Sequence, residues 1–141
     1  FTLNLIGNST SEILKDKKYQ IKFHNSLQKE KAIIKILNDC DLFVFTSKLD
    51  NFPLVLMEAQ SCGLPCIAYK TGGVEDIIIN NRTGFLIKPF DENKFAEKIK
   101  IFLDNKKTLK QFSINSRKNV EKNFSYPVIR KKYEQIFKKI I

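Results

Sequence analysis

The chain has 141 residues, a formal net charge of +10 and 43% hydrophobic residues, enough for one domain with a proper core but cramped for two. No apolar run approaches the ~20 residues of a membrane span, and nothing reads as a signal peptide. Three cysteines among apolar residues with a single His favour reduced, buried thiols of a cytosolic protein over a zinc site or a disulfide framework. The positive excess is uneven: residues 1–90 carry 11 basic and 9 acidic groups, and the rest carry 14 and 6. Such a face fits anionic lipid, nucleic acid or a phosphorylated substrate, and equally a plain solvated Lys-rich surface. The chain opens at Phe1 in a strand-like run without an initiator Met, so it is expected to be a piece of a longer protein.

In chain order, Leu3 to Ile6 reads as a strand closed by the turn Gly7-Asn8-Ser9. A polar helix over Ser11–Lys18 follows, then a strand from Ile21 to His24. Ser26 is a plausible N-cap for a helix over Leu27–Asp39, with Ile33, Ile34, Leu37 and Cys40 on its buried face. Leu42 to Phe45 is an uninterrupted apolar strand, as expected where both faces of a parallel sheet are covered. Asn51 can cap the next helix, Pro53 falls in its first turn, and Gly63 followed by Pro65 stops it. Cys66 to Tyr69 is a fourth strand, and Thr71-Gly72-Gly73 leads into a short helix over Val74–Ile79. A brief strand covers Phe85 to Ile87. From Asp91 the pattern is helical: Phe95, Ile99 and Phe102 mark one buried face, and Leu109, Phe112 and Val120 mark the next. A last helix from Ser125 is expected to bury Ile129, Tyr133, Ile136, Phe137 and Ile140.

Apolar strands alternating with helices predict an α/β fold, a Rossmann-like parallel sheet of about five strands flanked by helices with a helical C-terminal region over residues 91–141. Ligands of such sheets sit beyond the carboxyl ends of the strands. That rule selects Gly7, His24, Ser47 to Asn51, and Lys70 to Gly73. Gly72 and Gly73 open a helix, where N–H groups and a missing side chain suit a phosphate, although a tight turn needs the same residues. Glu58 is the one acid between Phe52 and Ala59 on a helix otherwise apolar, and it is expected to be buried. A buried carboxylate needs a partner, either ribose hydroxyls, which its two oxygens can both accept, or a lysine such as Lys48 or Lys70. Asp50 is a loop cap or a reacting group. His24 is a packed residue or a ligand contact.

Three stretches in order, Asp50-Asn51-Phe52-Pro53 through Glu58-Ala59-Gln60-Ser61-Cys62-Gly63-Leu64-Pro65, then Thr71-Gly72-Gly73-Val74-Glu75-Asp76, then Asn81-Arg82-Thr83-Gly84-Phe85, resemble the C-terminal nucleotide-sugar-binding domain of retaining GT-B glycosyltransferases, family 4. The resemblance covers nearly the whole chain. It implies that Glu58 holds the ribose hydroxyls of a nucleotide-sugar and that Asp50, where the family usually has Glu, meets the transferred sugar near the reacting carbon. It further implies that backbone amides around Asn51, Phe52 and Leu54 meet sugar and diphosphate, with Gly72 and Gly73 lining the pocket. Gly7 lies at the same rim, and the strand end at His24 is implied to lie against the base; Asn25 stands where the family often has Gly. No bound metal or other cofactor is implied. The Arg and Lys that grip the diphosphate, and the acceptor-binding N-terminal domain, are implied to lie upstream of Phe1, so the piece alone is expected to bind nucleotide weakly and not to turn over.

Two readings result. One is the donor-binding half of a glycosyltransferase in cell-surface polysaccharide synthesis, cytoplasmic, whose basic C-terminal region lies near the inner face of an anionic membrane carrying a saccharide or lipid-linked acceptor. The other is a noncatalytic basic α/β module for nucleic acid or anionic membrane. The expectation that aromatics of the C-terminal helices face inward weighs against a stacking platform for nucleic acid.

Overall fold

The structure is a computed structural model, and it describes residues 1–7, 19–24 and 30–140. The predicted helix over Ser11–Lys18, the turn residues Asn8 and Ser9, Asn25 and the cap at Ser26 lie outside the described residues. Among the described residues there are five strands, all in parallel pairings, hydrogen-bonded as one sheet of two strands and one of three. The chain divides into two compact units, Phe1–Asp39 and Cys40–Ile141.

In the first unit β1 (Thr2–Ile6) pairs in parallel with β2 (Gln20–His24), residue for residue from Thr2 with Gln20 to Ile6 with His24. The helix α1 (Glu30–Asn38) buries Leu37 alone. Ile33 and Cys40 are half-buried and Ile34 is exposed, so the predicted four-residue face is one residue deep; its 3.6-residue period tells which side is apolar and not how much of that side is covered.

In the second unit the order is β3 (Phe43–Phe45), β4 (Cys66–Tyr69), β5 (Gly84–Ile87), with β4 central. All four residues of β4 are buried, and alternation along the strand assigns them to two layers. Ile67 and Tyr69 join Phe85, Ile87, Phe95 and Phe102 in one core cluster. On the other side the Cys66 thiol lies 4.0 Å from the Leu56 carbonyl oxygen of α2 (Leu54–Ser61), and burial pushes that thiol far above its ordinary range. The covered-on-both-faces reading thus holds for β4. It does not hold for β3, whose Val44 is exposed and whose two phenylalanines are half-buried.

The first layer is aromatic. Helix α4 (Glu92–Asp104) is capped by Asp91, whose side chain accepts from the Lys94 amide at 2.9 Å, and it delivers Phe95 and Phe102. Phe102 meets Phe85 at 5.0 Å and Phe112 of α5 (Lys106–Asn123) at 5.2 Å between ring centroids. These offsets suit the ring quadrupoles. The α5 face predicted as Leu109, Phe112 and Val120 is only half-buried; its fully covered positions are Ser116 and Asn119.

Helix α2 ends in a Schellman turn. Gly63, at φ +79°, places its amide on the Gln60 carbonyl oxygen and the next amide, Leu64, on that of Ala59. At the other end Asn51 is not the cap. Pro53 occupies that position with no side-chain cap bond, because the Asn51 carbonyl is drawn into a different contact described below. The short helix α3 spans Val74–Ile77, ending two residues before the predicted Ile79.

The last helix, α6 (Tyr126–Ile140), overturns its prediction. Tyr133, Ile136, Phe137 and Ile140 are exposed, Tyr133 by 59% and Ile140 by 75%, and of the five residues predicted to be buried only Ile129 is half-buried. Amphipathic spacing names an apolar stripe, but burying it requires a facing surface. The aromatics expected to face inward, weighed against nucleic-acid binding, do so on α4 and α5 but not on α6, where Tyr126, Tyr133 and Phe137 are open. No helix among the described residues is long and apolar enough to cross a membrane.

Two substitutions separate the covered from the open aromatics. Phe102→Ala is expected to destabilise the chain by about 3–5 kcal/mol, and Tyr133→Ala by no more than about 0.5 kcal/mol, as read by urea unfolding. Equal losses would contradict the assignment of core and surface.

Candidate functional site

Because β3, β4 and β5 run in parallel, their following loops leave the sheet at one end. The first is the segment Ser47–Pro53. Asp50 is half-buried there, and its Oδ1 accepts the Phe52 amide at 3.1 Å. This is an Asx turn, the local geometry Asp favours, so Asp50 does cap its own loop, with Oδ2 left over.

The second loop, Lys70–Gly73, packs directly on the first. The Gly73 amide donates to the Asn51 carbonyl oxygen at 2.7 Å. A Cβ on Gly73 would overlap that oxygen and come within 2.9 Å of Phe52 Cδ2, and a Cβ on Gly72 would overlap the Asp50 carbonyl oxygen. Gly72 also sits at φ +48°, a conformation L side chains rarely adopt. The space beside these glycines is thus filled by the backbone of residues 50–52, and the Gly73 N–H predicted to be open to a phosphate is engaged.

Glu58 lies on α2, one helical turn after Leu54, and both are exposed. The predicted burial of Glu58 is therefore incorrect. Apolar composition around a helix records a preference for cover and not its presence, and one side of α2 is open. The lysines considered as neutralising partners are engaged elsewhere: Lys70 Nζ is 2.8 Å from Glu75 Oε2, and Lys48 Nζ sits 4.5 Å above the Phe90 ring centroid. Among the described residues the Glu58 carboxylate makes no ion pair and accepts no hydrogen bond. Its field is still felt by its neighbour Cys62, whose thiol burial pushes up, with Arg117 opposing and Glu58 adding.

In the first unit, Gly7 follows β1 at φ +126° with open space where a Cβ would stand, and its amide donates to the His24 carbonyl oxygen at 3.0 Å. The His24 ring Nε2 is 2.9 Å from Asn4 Oδ1, which fixes the ring at the end of β2.

The structure brings together Asp50, Asn51, Phe52, Gly72 and Gly73, and separately Gly7 with His24. It leaves Leu54 and Glu58 facing outward, the Glu58 carboxylate without a hydrogen-bonded partner among the described residues. Two features carried no sequence signal. Lys48 and Phe90 meet between two loops of the same sheet end. Gln60, fully buried, is bonded to Asn119; polar residues on helices ordinarily face water. No group of three or more His, Cys, Asp or Glu among the described residues is placed to hold a metal ion.

The family described as glycosyl transferases group 1 matches residues 8–119. Among curated proteins, the chain is 30% identical over 111 residues to the N-acetyl-alpha-D-glucosaminyl L-malate synthase of Bacillus anthracis, covering 79% of this chain and 29% of that protein. It is 31% identical over 104 residues to the capsular polysaccharide biosynthesis glycosyltransferase CapM of Staphylococcus aureus, covering 74% and 27%. It is also 31% identical over 135 residues to an Escherichia coli UDP-Gal:alpha-D-GlcNAc-diphosphoundecaprenol alpha-1,3-galactosyltransferase, covering 86% and 35%. The chain thus spans roughly a third of the length of these relatives. Among solved structures it is similar to the sucrose-phosphate synthase of Thermosynechococcus elongatus, with TM-score 0.75 and 25% identity over 86% of this chain and 30% of that one. It also shares the fold of Anabaena Alr3699/HepE solved with UDP-glucose, with TM-score 0.80 and 21% identity over 98% and 41%.

Gly73→Ala is expected to force the two loops apart and destabilise the chain by about 1–3 kcal/mol, the range for overpacked sites. Thermal unfolding checks this, and an unchanged midpoint would mean that the close approach of the loops is not needed.

Proposed function

Because the chain belongs to the glycosyl transferases group 1 family, we propose that it is the donor-binding part of a glycosyltransferase that moves a sugar from a nucleotide-sugar to a saccharide or lipid-linked acceptor in cell-surface polysaccharide synthesis. The observation that carries this reading is Glu58, an exposed acid that makes no ion pair among the described residues and stands one turn from the exposed Leu54, while both candidate lysines are engaged elsewhere. A carboxylate in that state can accept two hydroxyl protons from vicinal ribose hydroxyls at little desolvation cost.

Around it, Asp50 Oδ2 faces the transferred sugar, and the Asx turn holds that carboxylate in place. The first-turn amides of α2, at Leu54 and Val55, have no intrahelical acceptor and aim the positive helix end at the diphosphate. Asn51 and Phe52 shape the loop, and Gly72 and Gly73 let the second loop close against it. Gly7 and His24, in the first unit, are proposed as contacts of the nucleotide base from the family resemblance alone. We place the enzyme in glycosyltransferase family 4, transferring with retention of configuration, which the anomeric configuration of the product, read by NMR, tests. Departure of the diphosphate is assisted by amide and basic groups without a bound metal; activity insensitive to chelator is the expected result.

The protein is proposed to be cytoplasmic and to touch the inner face of an anionic membrane. The supporting feature is α6, where an exposed apolar stripe of Tyr133, Ile136, Phe137 and Ile140 runs beside Lys131, Lys132, Lys138 and Lys139. Co-sedimentation with anionic vesicles that weakens as salt rises is the expected result, and indifference to vesicle charge would remove the proposal. Nucleic acid is not a proposed partner, and family membership supports that better than the exposed aromatics do.

The direct test is calorimetry with UDP, GDP, ADP and TDP. Glu58→Ala is expected to leave stability within about 0.5 kcal/mol, as for exposed substitutions, and to raise the nucleotide Kd by roughly tenfold or more, about 1.4 kcal/mol. Unchanged affinity would make Glu58 a bystander and overturn the reading.

A further inference from the structure

Glu58 and Gln60 are two residues apart on α2, hence about 200° apart around its axis. One points to solvent and the other inward. Gln60 is fully buried, and its amide is bonded at both ends. Its Nε2 donates to the Ile77 carbonyl oxygen at 3.3 Å, and its Oε1 accepts from Asn119 Nδ2 at 2.9 Å. Asn119 Nδ2 also donates to the Ile77 carbonyl oxygen at 2.9 Å, and Asn119 Oδ1 accepts from Asn123 at 2.8 Å.

This junction ties together three elements. Ile77 is the last residue of α3, which begins directly after Gly73; Asn119 belongs to α5; Gln60 belongs to the helix that carries Glu58. The side chains of the other inward residues of α2, Leu56 and Ala59, pack through contacts that have no preferred direction, and the other hydrogen bonds that hold the helix, from the Cys66 thiol to the Leu56 carbonyl and from the Arg117 guanidinium to the Ser61 carbonyl, reach only its backbone. A hydrogen bond from a side chain does have a preferred direction. A roll of α2 that apolar packing would tolerate leaves Gln60 buried without partners, a state that is strongly disfavoured.

We propose that Gln60 and Asn119 are positioning residues, which set the roll of α2 and through it the direction of the Glu58 carboxylate relative to the glycine turn. This inference rests on the donor-site reading of Glu58. It adds that the affinity of the site is controlled from the opposite side of the helix, by side chains that never touch the nucleotide.

The test uses the full-length protein and the nucleoside diphosphate among UDP, GDP, ADP and TDP that binds the wild type most tightly. Affinity and melting temperature are measured for Gln60→Met, Asn119→Leu, Ser116→Ala and Glu58→Gln. Ser116 is the control: it is fully buried on α5, and its Oγ donates to the Thr83 carbonyl oxygen at 3.0 Å, a partner outside α2. Gln60→Met and Asn119→Leu are expected to weaken nucleotide binding by roughly tenfold, the scale of a small misplacement of a binding group. Ser116→Ala is expected to lower the melting temperature and leave the affinity unchanged. If Glu58→Gln weakens binding while Gln60→Met and Asn119→Leu do not, the positioning proposal is overturned and the donor site stands. An equal loss in Ser116→Ala also overturns it, since destabilisation alone would then account for the effect. Unchanged binding in Glu58→Gln overturns the donor-site reading and the proposal with it. Should Asn119→Leu not fold, Asn119→Ser carries the same expectation.

Discussion

Two loops of the three-stranded sheet meet with no side chain between them. The hydrogen bond from the Gly73 amide to the Asn51 carbonyl oxygen can form only because neither Gly72 nor Gly73 has a Cβ to hold the chains apart. Much of the second unit follows from it. Drawing Asn51 toward the glycine turn leaves Pro53, not Asn51, at the start of α2, and it sets where Asp50 closes its Asx turn. The glycines therefore do structural work first, and any ligand must use what that work leaves exposed.

What it leaves exposed is one side of α2. That helix has its back fixed by apolar contacts and by the amide junction of Gln60, Asn119 and the Ile77 carbonyl, and its front carries Leu54 and Glu58. The acid costs little where it stands because water reaches it, so its presence is not an electrostatic problem awaiting a partner. It is an available acceptor one turn from the exposed, apolar Leu54, and a polar group beside apolar ones is what orients a polar ligand.

The α/β class, the parallel pairing, the order of elements and the clustering of Asp50 with the glycine turn were legible in the sequence. Strand and helix periods, turn residues and the end-of-strand rule are local or topological signals. Three things were not legible, two of them for the same reason. Glu58 was expected to be buried because α2 is apolar all round, and α6 because Tyr133, Ile136, Phe137 and Ile140 fall on one stripe; composition records the preference of a surface for cover, not whether cover exists. Conversely, Gln60 and Asn119 gave no hint of burial, because two amides satisfy each other only once the fold brings α2 and α5 together, 59 residues apart in the chain.

The central claim, that Glu58 is a ribose clamp beside a loop and turn locked by Gly73 and Asn51, is tested most directly by a crystal structure with a bound nucleoside diphosphate. The account predicts both ribose hydroxyls within hydrogen-bond distance of the Glu58 carboxylate, about 2.7 Å, and the diphosphate against the first turn of α2. A nucleotide seated elsewhere, with Glu58 facing solvent, would contradict it.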